Sequence, residues 1–172
     1  MITSFDDIRA LLGEPRFGWS DPAPWHRLEG ELGIVFPDDF REFCDAYGPV
    51  LINNQVHTTH PGVAHGNLGR LIRSDIEAWA HAPEDMVTQP VGTGPGELFP
   101  WGSAASGETM FFRVPKEAPE AWSVFVYESD EGEFLEYDMS FGDWMLAYVR
   151  GEDVGVCSRN FAPEGPFFQP IG

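Results

Sequence analysis

The sequence predicts an α+β domain, and three observations carry that expectation. Segments with apolar residues at helical spacing fill the N-terminal half. A run of short aromatic and β-branched segments joined by turns follows them. One more helix-period segment comes after that run, and helices followed by a meander and a helix is an α+β layout rather than an alternating βαβ one. At 172 residues, with no internal repeat and no break in composition, the chain (1–172) reads as one domain. A chain of this length can bury enough surface to fold without metal or disulfides.

The elements follow from their punctuation. Ser4 with Asp7 three residues on marks a helix start, with Ile8, Leu11 and Leu12 as its apolar face and Gly13 as its stop. Asp21-Pro22 opens a second helix with a cap and a first-turn proline; Trp25, Leu28 and Leu32 line one side and Gly33 closes it. Pro37-Asp38-Asp39 starts a third, placing two carboxylates at the positive helix end, with Phe40, Phe43, Cys44 and Tyr47 on one face before Gly48. Val50 to Val56 reads as a strand, and His57 to Gly66 as a loop. Asn67 begins a fourth helix with Leu68, Leu71, Ile72, Ile76 and Trp79 in its stripe. After a connection through Pro83, Pro90 and Pro95 come three strands, Thr109–Val114, Trp122–Glu128 and Phe134–Tyr137, the last two joined by a short hairpin loop. Ser140 and Asp143 form a capping box ahead of Phe141, Trp144, Met145 and Tyr148. The remainder, Glu152 to Gly172, reads as a tail held down by Phe161, Phe167 or Phe168.

Charge decides which partners are conceivable. Ten basic residues against 28 acidic ones give −18. Such a chain repels phosphate backbones, so nucleic acid is not an expected partner. It attracts a cationic surface, with a rate that falls as salt rises. Two cysteines make no framework, and Cys44 in an apolar stripe behaves as a small hydrophobe. Apolar runs such as Val124–Tyr127 are far shorter than the roughly 20 residues of a membrane span. The first ten residues lack the basic and apolar regions of a signal peptide. The expected setting is therefore soluble, reducing and cytoplasmic, with no membrane partner.

A search for chemistry finds no catalytic constellation and calls for no cofactor. Gly92-Thr93-Gly94-Pro95-Gly96 is followed by Glu97-Leu98-Phe99-Pro100, which cannot open a helix, and the one lysine, Lys116, is too far on for a phosphate loop. Ser103 and Ser106 miss the spacing of a nucleophile elbow. Asp38-Asp39 and Glu84-Asp85 carry no catalytic weight without geometry. His57, His60 and His65 could ligate zinc with a carboxylate or water, but they sit on a Gly/Pro loop without helical spacing or a nearby Cys, and polar loop histidines is the better reading. No metal site is expected. What remains is acidic: Glu128, Asp130, Glu131, Glu133, Glu136 and Asp138 fall within eleven residues around the hairpin. They are either a solvated turn that protects a sheet edge or a negative surface that docks a cationic partner.

The order of motifs resembles the SUKH superfamily of SMI/KNR-type domains. The residues that carry the likeness are Trp25 to Gly33 (Trp-His-Arg-Leu-Glu-Gly-Glu-Leu-Gly), Phe36-Pro37-Asp38-Asp39-Phe40, Phe43 and Tyr47-Gly48. Leu98 to Gly102, Gly107 to Phe112 and Phe141 to Met145 continue it, so the likeness spans about Trp19 to Arg150. Where the family usually has Gly-Asp before its aromatic strand, this chain has Gly107-Glu108. The resemblance implies a mixed, largely antiparallel sheet with helices packed against it. It also implies a non-enzymatic binding protein: an immunity protein that neutralises a cognate toxin, often a nuclease, or a regulatory or scaffold module. A basic partner such as a toxin domain suits the charge. The expected contact residues are exposed carboxylates, Glu128, Asp130, Glu131 and Glu133 first and Asp38 and Asp39 second. The motif aromatics are expected in the core.

Overall fold

The structure, a computed structural model, describes residues 5–117 and 122–171. Among the described residues the helices are α1 (Phe5–Leu12), α2 (Ala23–Leu32), α3 (Asp38–Tyr47), α4 (Leu68–Ala80) and α5 (Phe141–Val149). The strands are β1 (Val50–Ile52), β2 (Val56–Thr58), β3 (Leu98–Ala104), β4 (Thr109–Arg113), β5 (Ser123–Glu128), β6 (Glu133–Tyr137) and β7 (Phe168–Pro170). They form one sheet in the order β6-β5-β4-β3-β2-β1-β7, antiparallel at each pairing. Parallel pairing is reduced to an isolated bridge between Val91 and Leu98. The expected α+β class is the class observed.

Strand alternation sends neighbouring side chains to opposite faces, and the central strands are covered on both. Phe99, Trp101, Met110, Phe112, Val124 and Val126 join the main core with α1, α2, α3 and α5. Leu98, Phe111, Phe125 and Tyr127 form a second core under Trp79 of α4, with Met86 and Val91 from the connection that follows. A strand buried on both faces reads as a continuous apolar run, as in Val124–Tyr127. Phe40 is the hub of the main core: its ring lies 5.1 Å from Phe141, 5.2 Å from Phe112 and 5.7 Å from Trp101. The edge-to-face contacts there fix the angle at which α3 and α5 meet the sheet.

Several expectations are corrected. Val50 to Val56 is not one strand: Asn53 and Asn54 take φ of 57° and 56° and turn the chain back into the β1–β2 hairpin. Asparagine tolerates that left-handed region, so the pair fills the two central positions of a turn that the Gln55 N–H closes on the Ile52 carbonyl at 2.8 Å. Strand β3 goes unread because Pro100 and Gly102 argue against a central strand. Its register shifts between those two residues, leaving Trp101 as the bulged residue. Gly102 is required there, since a Cβ would stand 2.9 Å from the His57 carbonyl oxygen. His57 belongs to β2, not to a loop. In α1 the buried face is Ile8 and Leu12, while Leu11 is 41% exposed. Ser4 lies outside the described residues. Pro22 rather than Asp21 occupies the cap position of α2, and the Asp21 side chain accepts from the Ala23 N–H instead. The tail is held by Phe168, whose ring packs 5.1 Å from Tyr47, whereas Phe161 is 39% exposed. Its last residues pair with β1 as the edge strand β7.

Candidate functional site

The acidic candidates fall into two separate places. Around the β5–β6 hairpin, Asp130, Glu131 and Glu133 are exposed and Glu128 is half-buried. Glu128 is used locally: its Oε1 accepts the Asp130 N–H at 3.0 Å and its Oε2 the Glu131 N–H at 2.7 Å. That side chain fastens the turn, and Gly132 with φ 69° completes it. The β3–β4 turn brings Glu108 to the same region, and the segment after α5 brings Asp153. With Glu128, Glu131 and Glu133 these line a cleft of about 470 Å³ that also includes Leu135 and Phe161 and, among the described residues, no lysine, arginine or histidine. Asp130 lies outside the cleft, on the hairpin tip.

Asp38 and Asp39 lie elsewhere, at the start of α3. They line a larger groove of about 1050 Å³, between the α2–α3 turn and the start of α5, and Asp138 just beyond β6 shares it. From Glu133 to Asp138 is the length of β6, about 17 Å of extended chain, so one strand runs from the cleft to the groove. The two aspartates have different roles. Asp38 is exposed. Asp39 Oδ2 accepts the Gly142 N–H at 2.8 Å, which puts its carboxylate on the positive end of α5 and ties α5 to α3.

The candidate histidine set does not assemble. The three histidines of the notional zinc set diverge: His57 is in β2, His65 is exposed, and His60 is fully buried. His60 keeps its expected place in the loop after β2, but it is buried there. Its ring stacks 4.2 Å from Trp19, and Nε2 is 2.8 Å from Asp45 Oδ1. Among the described residues no group of three or more His, Cys, Asp or Glu could hold a metal ion. In the Gly92–Gly96 loop the backbone curls around the protein's own Glu97, whose Oε1 accepts the Gly94 N–H at 2.7 Å. A carboxylate already fills the position a phosphate would need, and Cβ atoms at Gly92 or Gly94 would come within 2.7 Å of it.

Burial is the leading cause of each displaced equilibrium among the described residues, including the half-buried His57, Asp75 and Tyr137. Burial lifts the Cys44 thiol well above its ordinary range, with Asp45 adding to the effect, and pushes Tyr47 up to about 12. Burial likewise raises Tyr148, whose hydroxyl donates to Gln55 Oε1 at 2.8 Å, and lowers His57 and His60. None of these groups lines the acidic cleft or the groove. What both places can do chemically is present carboxylates and apolar surface to a cationic molecule.

Sequence reasoning missed Glu108 and Asp153 as cleft residues, because each is distant in sequence from the hairpin. It also missed Val35, which is 66% exposed on the groove wall between buried Ile34 and Phe36. The signal was present: three apolar residues in a two-helix turn cannot all face one core. The SUKH_6 family profile, described as SMI1-KNR4 cell-wall, matches residues 23–145, from the start of α2 into α5. No curated protein and no solved structure matches the chain.

Proposed function

The chain belongs to the SMI1-KNR4 family of the SUKH superfamily, and on that premise we propose that it is a non-enzymatic immunity protein that neutralises a basic toxin through its acidic surface. The observation that carries this reading is the cleft beside the β5–β6 hairpin, with five carboxylates and, among the described residues, no cationic side chain in its lining. A toxin that cuts nucleic acid must hold a phosphate backbone with basic residues, and a chain of −18 is drawn to that surface and blocks it. An interface of about 1,600 Å² suffices for a stable block. Electrostatic attraction sets the speed of association, and a toxin must be stopped quickly.

The test is co-expression with the reading frames that neighbour its gene. One of them arrests growth alone and is neutralised by the wild-type protein. A folded Asp130→Asn, Glu131→Gln, Glu133→Gln variant binds that toxin more slowly, and the difference disappears at high salt. Neighbours that are all harmless, or a variant that associates at the wild-type rate, would sink the reading. A second reading, a regulatory or scaffold module without a toxin, is favoured by one observation: the groove at Asp38 and Asp138 is mostly apolar, which suits a peptide segment.

A further inference from the structure

We propose that the groove between the α2–α3 turn and the start of α5 docks a cationic segment of a partner protein through a projecting apolar side chain. The inference rests on the reading of this chain as a binding protein, and holds whether the partner is a toxin or not. The groove is about 1050 Å³, and Val35, Trp122 and Met139 offer apolar surface in it. Val35 at 66% exposure is the most exposed large hydrophobic side chain among the described residues. A side chain of that kind next to a groove gains by being covered, at about 25 cal/mol per Å².

The walls are pinned before any ligand arrives. Gly33 turns the chain with φ 73° and its N–H bonds the Glu29 carbonyl at 2.8 Å. Glu29 Oε2 then accepts the Phe36 N–H at 2.9 Å and faces Arg41 at 3.7 Å, so the turn that carries Val35 is fastened on both sides. Asp39 joins this wall to the opposite one through Gly142. A preformed groove spends little ordering entropy on binding.

Charge selects the occupant. Asp38 and Asp138 are exposed at the groove, and among the described residues no lysine, arginine or histidine lines it. Lys116, next in the chain to the lining residue Pro115, lies against Gly96. A second copy of this chain would bring the same carboxylates, and another −18, against them. An acidic peptide meets the same repulsion. A segment with lysine or arginine flanking a leucine-like residue matches both the floor and the rim.

The experiment is an amide-resolved NMR titration of the full chain with three probes: acetyl-Lys-Leu-Leu-Lys-amide, acetyl-Glu-Leu-Leu-Glu-amide and acetyl-Lys-Ser-Ser-Lys-amide. Saturable shifts at Val35, Asp38, Trp122 and Met139 with the first probe alone are the expected result. Asp38→Asn and Asp138→Asn should each weaken that binding about threefold, and Val35→Ser about fivefold. The free spectrum of each variant, unchanged away from the groove, shows that it is folded. Equal shifts with the acidic probe, shifts confined to residues 128–133, or shifts that appear on concentrating the protein without peptide each overturn the proposal. The last of these would assign the groove to a second copy. If no neighbouring gene proves toxic and the first probe still binds here, the groove stands without the toxin reading. If a toxin is neutralised but Val35→Ser and Asp38→Asn bind both toxin and probe as wild type, the groove alone is wrong.

Discussion

Asp45 Oδ1 stands 2.8 Å from His60 Nε2 and at the same time accepts the Trp25 indole N–H at 2.9 Å. One carboxylate oxygen of α3 therefore satisfies two donors whose side chains are fully buried, one from α2 and one from the segment after β2. The Gly62 N–H donates to His60 Nδ1 at 3.0 Å, so the proton of the neutral ring sits on Nε2 and is given to Asp45. Asp45→Ala should destabilise the protein by about 2–4 kcal/mol, since it strands both donors. Asp45→Asn keeps an acceptor and should cost less. Urea midpoints measure both, and an unchanged midpoint for the alanine variant would mean that water replaces the carboxylate.

The same residue predicts an acid sensitivity. Burial lowers the His60 pKa, and the bond and charge of Asp45 only partly oppose it. A folded-state value below the unfolded one means that folding favours the neutral ring. The stability that this ring contributes is complete above the unfolded value of about 6.5 and is lost as pH falls below it toward the folded value. Protonation also puts a hydrogen on Nδ1, where the Gly62 N–H already points. Denaturation midpoints should fall from pH 7.5 to pH 5.5, and fall less steeply in His60→Gln. Parallel profiles for the two proteins would assign the slope to other groups, His57 first.

Asp38 and Asp39 are adjacent and should behave oppositely. Asp39→Ala removes the acceptor on the Gly142 N–H and should cost about 1–2 kcal/mol. Asp38→Ala should change stability by less than about 0.5 kcal/mol. Thermal melts distinguish them, and equal losses would refute the division between the structural and the exposed carboxylate.

On the hairpin, Glu128 and Glu133 are directly opposed across β5 and β6. Like charges in that register repel, so Glu133→Gln should stabilise by about 0.2–1 kcal/mol. Glu128→Gln trades a charged acceptor for a weaker one at the Asp130 and Glu131 amides and should lose about 1 kcal/mol. If both variants gained stability, Glu128 would be a solvated charge and not the fastening of the turn.

At the other edge of the sheet, Asn53 Oδ1 accepts the Phe167 N–H at 2.9 Å while Asn53 N–H donates to the Phe167 carbonyl at 2.8 Å. Asn53→Ala removes the first bond and places an alanine at φ 57°, a region that costs an L-residue about 1 kcal/mol. Amide exchange at Phe167, Phe168, Gln169 and Ile171 should speed up while exchange in β4 and β5 stays slow. Uniform acceleration would show that β7 opens only with the whole domain.

The apolar stripes of α2, α3 and α5 were legible because a helix repeats its buried face every three to four residues, and Trp25, Phe40, Phe43, Tyr47, Trp144 and Tyr148 are all fully buried where the spacing places them. The hairpin between β5 and β6 was legible for a similar reason, since strand and turn are set by neighbours in the chain. The family was legible in the order of those same motifs. Strand β3 was not, because its Pro100 and Gly102 are excused only by a bulge against β4 and by the His57 carbonyl across the sheet.

The candidate site divides along the same line. Sequence alone determined how many carboxylates the chain carries and that Asp38, Asp39 and the hairpin set stand at element ends. Only the tertiary structure decided that Glu108 and Asp153 join the hairpin, that Asp39 and Glu128 are already engaged by backbone N–H groups, and that Val35 and Asp138 share a groove. The physical reason is range. Helix periodicity and turn chemistry act over a few residues, whereas a cleft or a groove exists only after packing brings distant segments together, and no local pattern in the chain records that distance.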